Sequence, residues 1–192
     1  MDSIFGYKVK YKEDGSYKSM YKIGEFIIYG NNGVCEVIDV GSINISGINK
    51  DKIYYTLKQI YENGSIFAPI DTRVFMRGVI TYEEAQQLIE RIPFIKEVEC
   101  SEKNGKLLEN YYKKFLESHE CIDLLSIISS IYDKKDNAIN SGKKLGQIDE
   151  KFMKIATGLI HDEFSVALGI PREEVQTYIN EKIKEIKKNR VI

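Results

Sequence analysis

KIGEFIIYGNNGVCEVIDVG, residues 22–41, decides how the chain is read. Two runs rich in Ile, Val, Phe and Tyr flank Gly30-Asn31-Asn32-Gly33. Such runs suit a pleated, half-buried strand, and Gly and Asn tolerate the positive backbone dihedrals that a hairpin or bulged turn requires. The glycines lack the spacing of a dinucleotide-binding loop and no helix follows them, so they punctuate structure and do not cradle phosphate. The same texture continues to about residue 80 in KIYYTLKQIY (52–61) and SIFAPID (65–71), short segments separated by turn-forming clusters. Four or five strands at this spacing predict a small β-barrel. Ahead of them Phe5, Tyr7, Val9 and Tyr11 alternate with polar residues and Asp14-Gly15 offers a tight turn. Residues 1–19 therefore read as an extension with the pattern of a hairpin, which adds to the barrel edge or frays.

From Thr81 the apolar period changes. Thr81-Tyr82-Glu83-Glu84 is a capping-box pattern, followed at helical spacing by Ala85, Leu88, Ile89 and Ile92. Pro93 ends or kinks that helix, and KEVECSEKNGK (96–106) is read as a linker. Leu107, Leu108, Tyr111, Tyr112, Phe115 and Leu116 share a face of the next helix. Ile122, Leu124, Leu125, Ile127, Ile128, Ile131 and Tyr132 cover nearly the whole circumference of the one after, as the centre of a bundle requires. NAINSGKKLGQ (137–147) is a loop by composition, and Asp149 is placed to cap a helix carrying Phe152, Ile155, Ala156, Leu159 and Ile160. Gly169 interrupts, and Pro171, with Glu173 and Glu174 near the positive end, opens a last helix bearing Val175, Tyr178, Ile179, Ile183 and Ile186. The expected fold class is α+β in two domains: a small Tudor/SH3-like barrel over 20–80, then an all-α bundle over 81–192.

Composition narrows the function classes. The chain's 28 basic and 29 acidic side chains leave a formal charge of -1, so no field over the whole molecule draws it to nucleic acid or anionic lipid. Any DNA contact is local or assisted by a partner. No signal-peptide pattern or bilayer-length apolar run is present, and Cys35, Cys100 and Cys121 are odd in number with no C-x-x-C pair. These features predict a cytoplasmic protein with reduced thiols. The two histidines, His119 and His161, have no metal-ligand partner at useful spacing, and no nucleophile elbow, P-loop or kinase signature appears. The expectation is a protein without catalysis, metal or cofactor that works through surfaces, foremost an open strand edge suited to strand addition; the lysine pairs Lys113-Lys114, Lys134-Lys135 and Lys143-Lys144 could meet phosphates, but each has acidic neighbours and a solvated helix face explains them better.

With the hairpin in view, Tyr21-Lys22-Ile23-Gly24-Glu25, Ile28-Tyr29 and Gly33-Val34 closely resemble the start of the CarD family of bacterial RNA polymerase-binding transcription regulators. Gly47, Tyr54-Tyr55, Ala68-Pro69-Ile70-Asp71 and Met76-Arg77-Gly78-Val79-Ile80-Thr81 with Glu83-Glu84 follow in the family's order. The run from Leu116 to Tyr132, and Leu145 to Leu168 with Ala156, Leu159 and Glu163, resemble its helices. The resemblance, spanning about residues 20–186, implies a Tudor-like barrel that docks on the polymerase beta subunit through an edge strand. It also implies a helical domain that lies against promoter DNA at the upstream edge of the melted region and stabilises the open complex. Carried onto this chain, it assigns Ile43, Asn44, Ile45, Ile66 and Phe67 to polymerase binding, and Asn104, Gly105, Lys106, Lys113 and Lys114 to weak, non-sequence-specific DNA contact. Ile43 and Phe67 stand where family members commonly carry arginine, so the interface is expected to be more apolar. The family's minor-groove tryptophan position falls near Asn104-Gly105, and this chain has no tryptophan. The protein is expected to act as a monomer with no membrane partner. A polymerase adaptor that lacks DNA contact is the alternative reading.

Overall fold

The computed structural model describes residues 10–11, 17–18, 21–47, 49–95 and 104–189. The chain divides into two compact units, Met1–Gly78 and Val79–Ile192.

In the first unit β1 (Lys10–Tyr11) pairs antiparallel with β2 (Tyr17–Lys18). The expected Asp14-Gly15 turn, Phe5, Tyr7 and Val9 lie outside the described residues. The main sheet contains β3 (Phe26–Tyr29), β4 (Val34–Gly41), β5 (Tyr54–Gln59), β6 (Ser65–Pro69) and β7 (Met76–Gly78). Their order is β6-β5-β4-β3-β7, antiparallel throughout. The expected barrel is an open sheet: β6 and β7 lie at opposite edges and do not pair with each other among the described residues. Closure requires tilted strands long enough to meet with a fixed stagger. Here β7 is three residues long, and β6 ends at Pro69, whose nitrogen has no proton to donate.

The opening stretch forms the first turn and hairpin of this sheet. Ile23-Gly24 is the centre of a tight turn in which Glu25 N–H donates to the Lys22 carbonyl at 3.1 Å, and Gly24, at φ +88°, takes the position that type II geometry reserves for glycine. Between β3 and β4, Gly30–Asn32 forms a 3-10 turn in which the glycines, not the asparagines, carry positive φ. Gly30 admits no side chain, because a Cβ there would lie 2.9 Å from Val74 Cγ1. Further along β4 the register shifts between Val37 and Asp39. The extra residue, Ile38, rephases the strand, so that Val40 returns to the core face and Asp39 points outward. Ile27, Tyr29, Cys35, Val37, Tyr55, Leu57, Ala68 and Met76 form that core with Tyr21, whose ring meets Tyr55 edge-on with centroids 5.9 Å apart.

The second unit is helical: α1 (Tyr82–Arg91), α2 (Gly105–Glu117), α3 (Cys121–Asn140), α4 (Gln147–Leu168) and α5 (Val175–Asn189). Thr81 and Glu84 form the complete capping box at the start of α1, and Pro93 sits in a 3-10 turn directly after that helix. Cys121, Leu124, Leu125, Ile127 and Ile131 make α3 the centre of the core, with Tyr112, Phe152, Ala156, Ile160, Phe164, Val175 and Ile179 packed around it.

Five helical expectations need correction. Tyr132 is 55% exposed although Ile131 beside it is fully buried, so Tyr132 lies off the buried face of α3. Leu107 is 49% exposed and lies off the buried face of α2, and Ile155 is exposed on α4. Residues 137–140, read as loop, complete α3, which ends with Gly142 at φ +67° and Lys143 N–H reaching back to the Ala138 carbonyl. Asn104-Gly105-Lys106, read as linker, caps and begins α2, while residues 96–103 lie outside the described set.

Candidate functional site

Two surfaces, one on each unit, carry the residues assigned from sequence. On the sheet unit, β6 is an edge strand paired only with β5 among the described strands. Alternation along it decides what each side chain can do. Ile66 turns inward onto the core, whereas Phe67, opposite Thr56, faces outward and is 37% exposed. Ile43, Asn44 and Ile45 are not on a strand: β4 ends at Gly41, and the three follow in the loop beyond it. Since β4 is paired on both sides, it has no free edge to offer. Ile43 is half-buried, while Asn44 and Ile45 are exposed. Beside β6, Lys52 Nζ donates to Asp71 Oδ2 at 2.8 Å, and Ile70 N–H donates to the Ile53 carbonyl at 3.1 Å. That hydrogen bond from Lys52 holds the Asp71 carboxyl below the usual carboxylate range.

On the helical unit the assigned residues follow α2. Asn104 Oδ1 accepts from the backbone N–H of Lys106 at 3.0 Å and of Leu107 at 3.5 Å, so this side chain caps the start of α2 and satisfies its free amides. Gly105 lies against α4, where a Cβ would come 3.0 Å from Ile148 Cδ1. Lys106, Lys113 and Lys114 are all exposed. Seven residues separate Lys106 from Lys113, placing them on one face roughly 10 Å apart along the axis, and Lys114 sits one residue further round. Lys113 has a partner: Glu109, one turn back, at 3.4 Å.

Sequence reading missed two groups here. Tyr112 OH donates to Asp149 Oδ1 at 2.6 Å, while Lys134 Nζ donates to both Tyr112 OH at 2.9 Å and Asp149 Oδ1 at 3.2 Å. Asp149 therefore does not cap α4, whose N-cap is Gly146; it ties α4 to α2 and α3. Lys134, paired with Lys135 in the sequence, is committed to that network. The other group is Glu163, 2% exposed, which accepts from Ile80 N–H at 3.1 Å with Oε1 and from the Cys121 thiol at 3.1 Å with Oε2. A buried acid on α4 thus joins the residues that open α1 and α3. Both groups join residues far apart in sequence, so no local spacing signals them; only the separate Glu109–Lys113 pair, at i,i+4, could be read from sequence.

The remaining chemistry is structural. Cys35 is buried, and burial pushes its thiol up to about 11, which leaves it inert. His161 is half-buried between helices, where its hydrogen-bond partner is Gln176 of α5. No group of three or more His, Cys, Asp or Glu among the described residues could hold a metal ion, and none of the described helices is long and apolar enough to cross a membrane.

Comparison with curated proteins finds no match. A family model does match, over residues 21–80, and its description is CarD-like/TRCF RID domain. The matched span is just under a third of the chain and takes in all five strands of the main sheet and the Gly24 and Gly30 turns. The sheet unit of this chain is therefore similar to the CarD-like/TRCF RID domain from Tyr21 to Ile80.

Proposed function

We propose that the protein is a non-catalytic transcription regulator that docks on RNA polymerase through its sheet unit. The observation that carries this reading is the CarD-like/TRCF RID match across the whole sheet. The sheet serves as a Tudor-like docking module for the beta subunit, with β6 as the contacting edge. Phe67 and Ile45 supply apolar contact, and the β6 backbone offers strand addition. From there the helical unit lies against DNA at the upstream fork, with Lys106, Lys113 and Lys114 meeting phosphates and Asn104 and Gly105 at the helix start nearest the duplex. The contact is weak and not sequence-specific, as a formal charge of -1 implies. The polymerase supplies the local concentration that electrostatics does not. Acting as a monomer in the cytoplasm without cofactor or membrane, the protein shifts the closed-to-open equilibrium by its differential affinity for the melted state.

Open-complex lifetime, measured with and without the protein on a linear promoter fragment, tests the regulatory step. A several-fold change that is lost in Lys113→Glu/Lys114→Glu is expected. An unchanged lifetime, together with retained polymerase binding, favours the second reading, an adaptor without DNA contact. Two observations support that alternative: the chain has no tryptophan to wedge into a groove, and Lys113 is already paired within its own helix.

A further inference from the structure

One carboxylate oxygen on the helical unit holds two lysines from two helices. Glu109 Oε1 on α2 accepts from Lys151 Nζ on α4 at 2.9 Å and faces Lys113 Nζ on α2 at 3.4 Å. Helical spacing puts Lys106 and Lys113 on the same face as Glu109, one on each side of it. Lys151 enters from α4, whose first turns run beside those of α2, as Ile148 at Gly105 and Asp149 at Tyr112 require. All three charged side chains are at least partly open to solvent, with 52%, 56% and 32% exposure for Lys113, Lys151 and Glu109. Hydrogen bonds from Lys151 and then Lys113 hold the Glu109 carboxyl below the usual carboxylate range, so it is ionised at neutral pH.

We infer that Glu109 is the chain's own competitor for phosphate, holding Lys113 and Lys151 as a pair that DNA must take from it, and that Lys151 is a phosphate contact alongside the lysines of α2. This inference rests on the proposed DNA contact. The cluster presents one net positive charge where its lysines alone would present two. A solvated ion pair is weak and easily exchanged, so a phosphate can displace the carboxylate, but each displacement subtracts from the binding free energy. Because screening confines the effect to about 8–10 Å, it acts on this cluster and not on the whole unit. The weakness of DNA contact is then a built-in property of α2 and α4, not a consequence of the chain's balanced composition alone.

The test is fluorescence anisotropy of a fork-junction DNA with the full chain, from about 50 to 200 mM salt, comparing wild type with Glu109→Gln, Lys113→Gln, Lys151→Gln and Glu185→Gln. Glu185, on α5 and paired with Lys182, removes the same charge elsewhere and controls for net charge. Glu109→Gln is expected to tighten binding several-fold at the lowest salt and to steepen the slope of log affinity against log salt by roughly one, while Glu185→Gln leaves both unchanged. Lys151→Gln is expected to weaken binding and flatten the slope by a similar amount. If Glu109→Gln binds like wild type while Lys113→Gln weakens binding, the competitor role is overturned and DNA contact stands. An equal gain from Glu185→Gln also overturns it, in favour of global charge. If neither Lys113→Gln nor Lys151→Gln alters binding, both this inference and the DNA contact beneath it fall.

Discussion

Glu163 joins the starts of two helices in the helical unit. A carboxylate buried to 2% exposure survives only when its acceptors are used. Here one oxygen takes the Ile80 amide, just ahead of the capping Thr81, and the other takes the thiol of Cys121, the first residue of α3. Both donors lie near helix starts, where negative charge is also favoured by the helix dipole. Glu163→Ala strips the acceptor from two buried donors and leaves a cavity, and is expected to destabilise the unit by about 2–4 kcal/mol. Glu163→Gln, which keeps one acceptor and the volume, should recover much of that. Chemical denaturation of the two variants against wild type checks the order. A loss below about 0.5 kcal/mol for Ala, the range of ordinary surface substitutions, would contradict this role.

At the scale of elements, the seam between α4 and α5 holds a pH-sensitive group. Burial first of all holds the His161 pKa below its ordinary 6.5, outweighing its hydrogen bond with Gln176; nearby Arg172 pushes the same way, and Asp162, paired with Arg172, opposes it. The unfolded chain therefore takes up this proton before the folded chain does. The contribution is fully present above about pH 6.5 and is lost as pH falls from there through the lower folded value. Urea midpoints of wild type should fall between pH 7 and 5 more steeply than those of His161→Gln; parallel curves would contradict it. Elements also show what sequence could tell. The capping box at Thr81, the apolar faces of α1 and α5 and the four longer strands of the main sheet were legible because each is a local pattern, whereas β7, three residues long, was not. The bulge at Ile38, the exposure of Tyr132 and the diversion of Asp149 from cap to Tyr112 were not, because each depends on a partner distant in sequence. The loop after β4 shows the same limit: the resemblance assigns Ile43 to a docking edge strand, but β5 pairs with β4 only as far as Gly41.

For the whole molecule, the two units divide the work that the proposal assigns. The sheet unit is the part that matches the CarD-like/TRCF RID domain, and polymerase docking is the claim on which the rest depends. Its outward aromatic on an edge strand was legible as a position, while the separation of Ile66 from Phe67 needed the register with β5. The lysines along α2 were legible in sequence, while the Glu109–Lys151 ion pair needed α4 beside them. Because Phe67 is exposed and outside the core, it can be changed with little effect on folding, which makes docking separable from stability. The decisive measurement is retention of the isolated polymerase beta lobe on the immobilised full chain at moderate salt, comparing wild type with Phe67→Asp. Binding by wild type and a loss of at least about tenfold in Phe67→Asp, roughly 1.4 kcal/mol at the interface, is the predicted result. No retention by wild type, or equal retention by a folded Phe67→Asp, would contradict docking through the β6 edge.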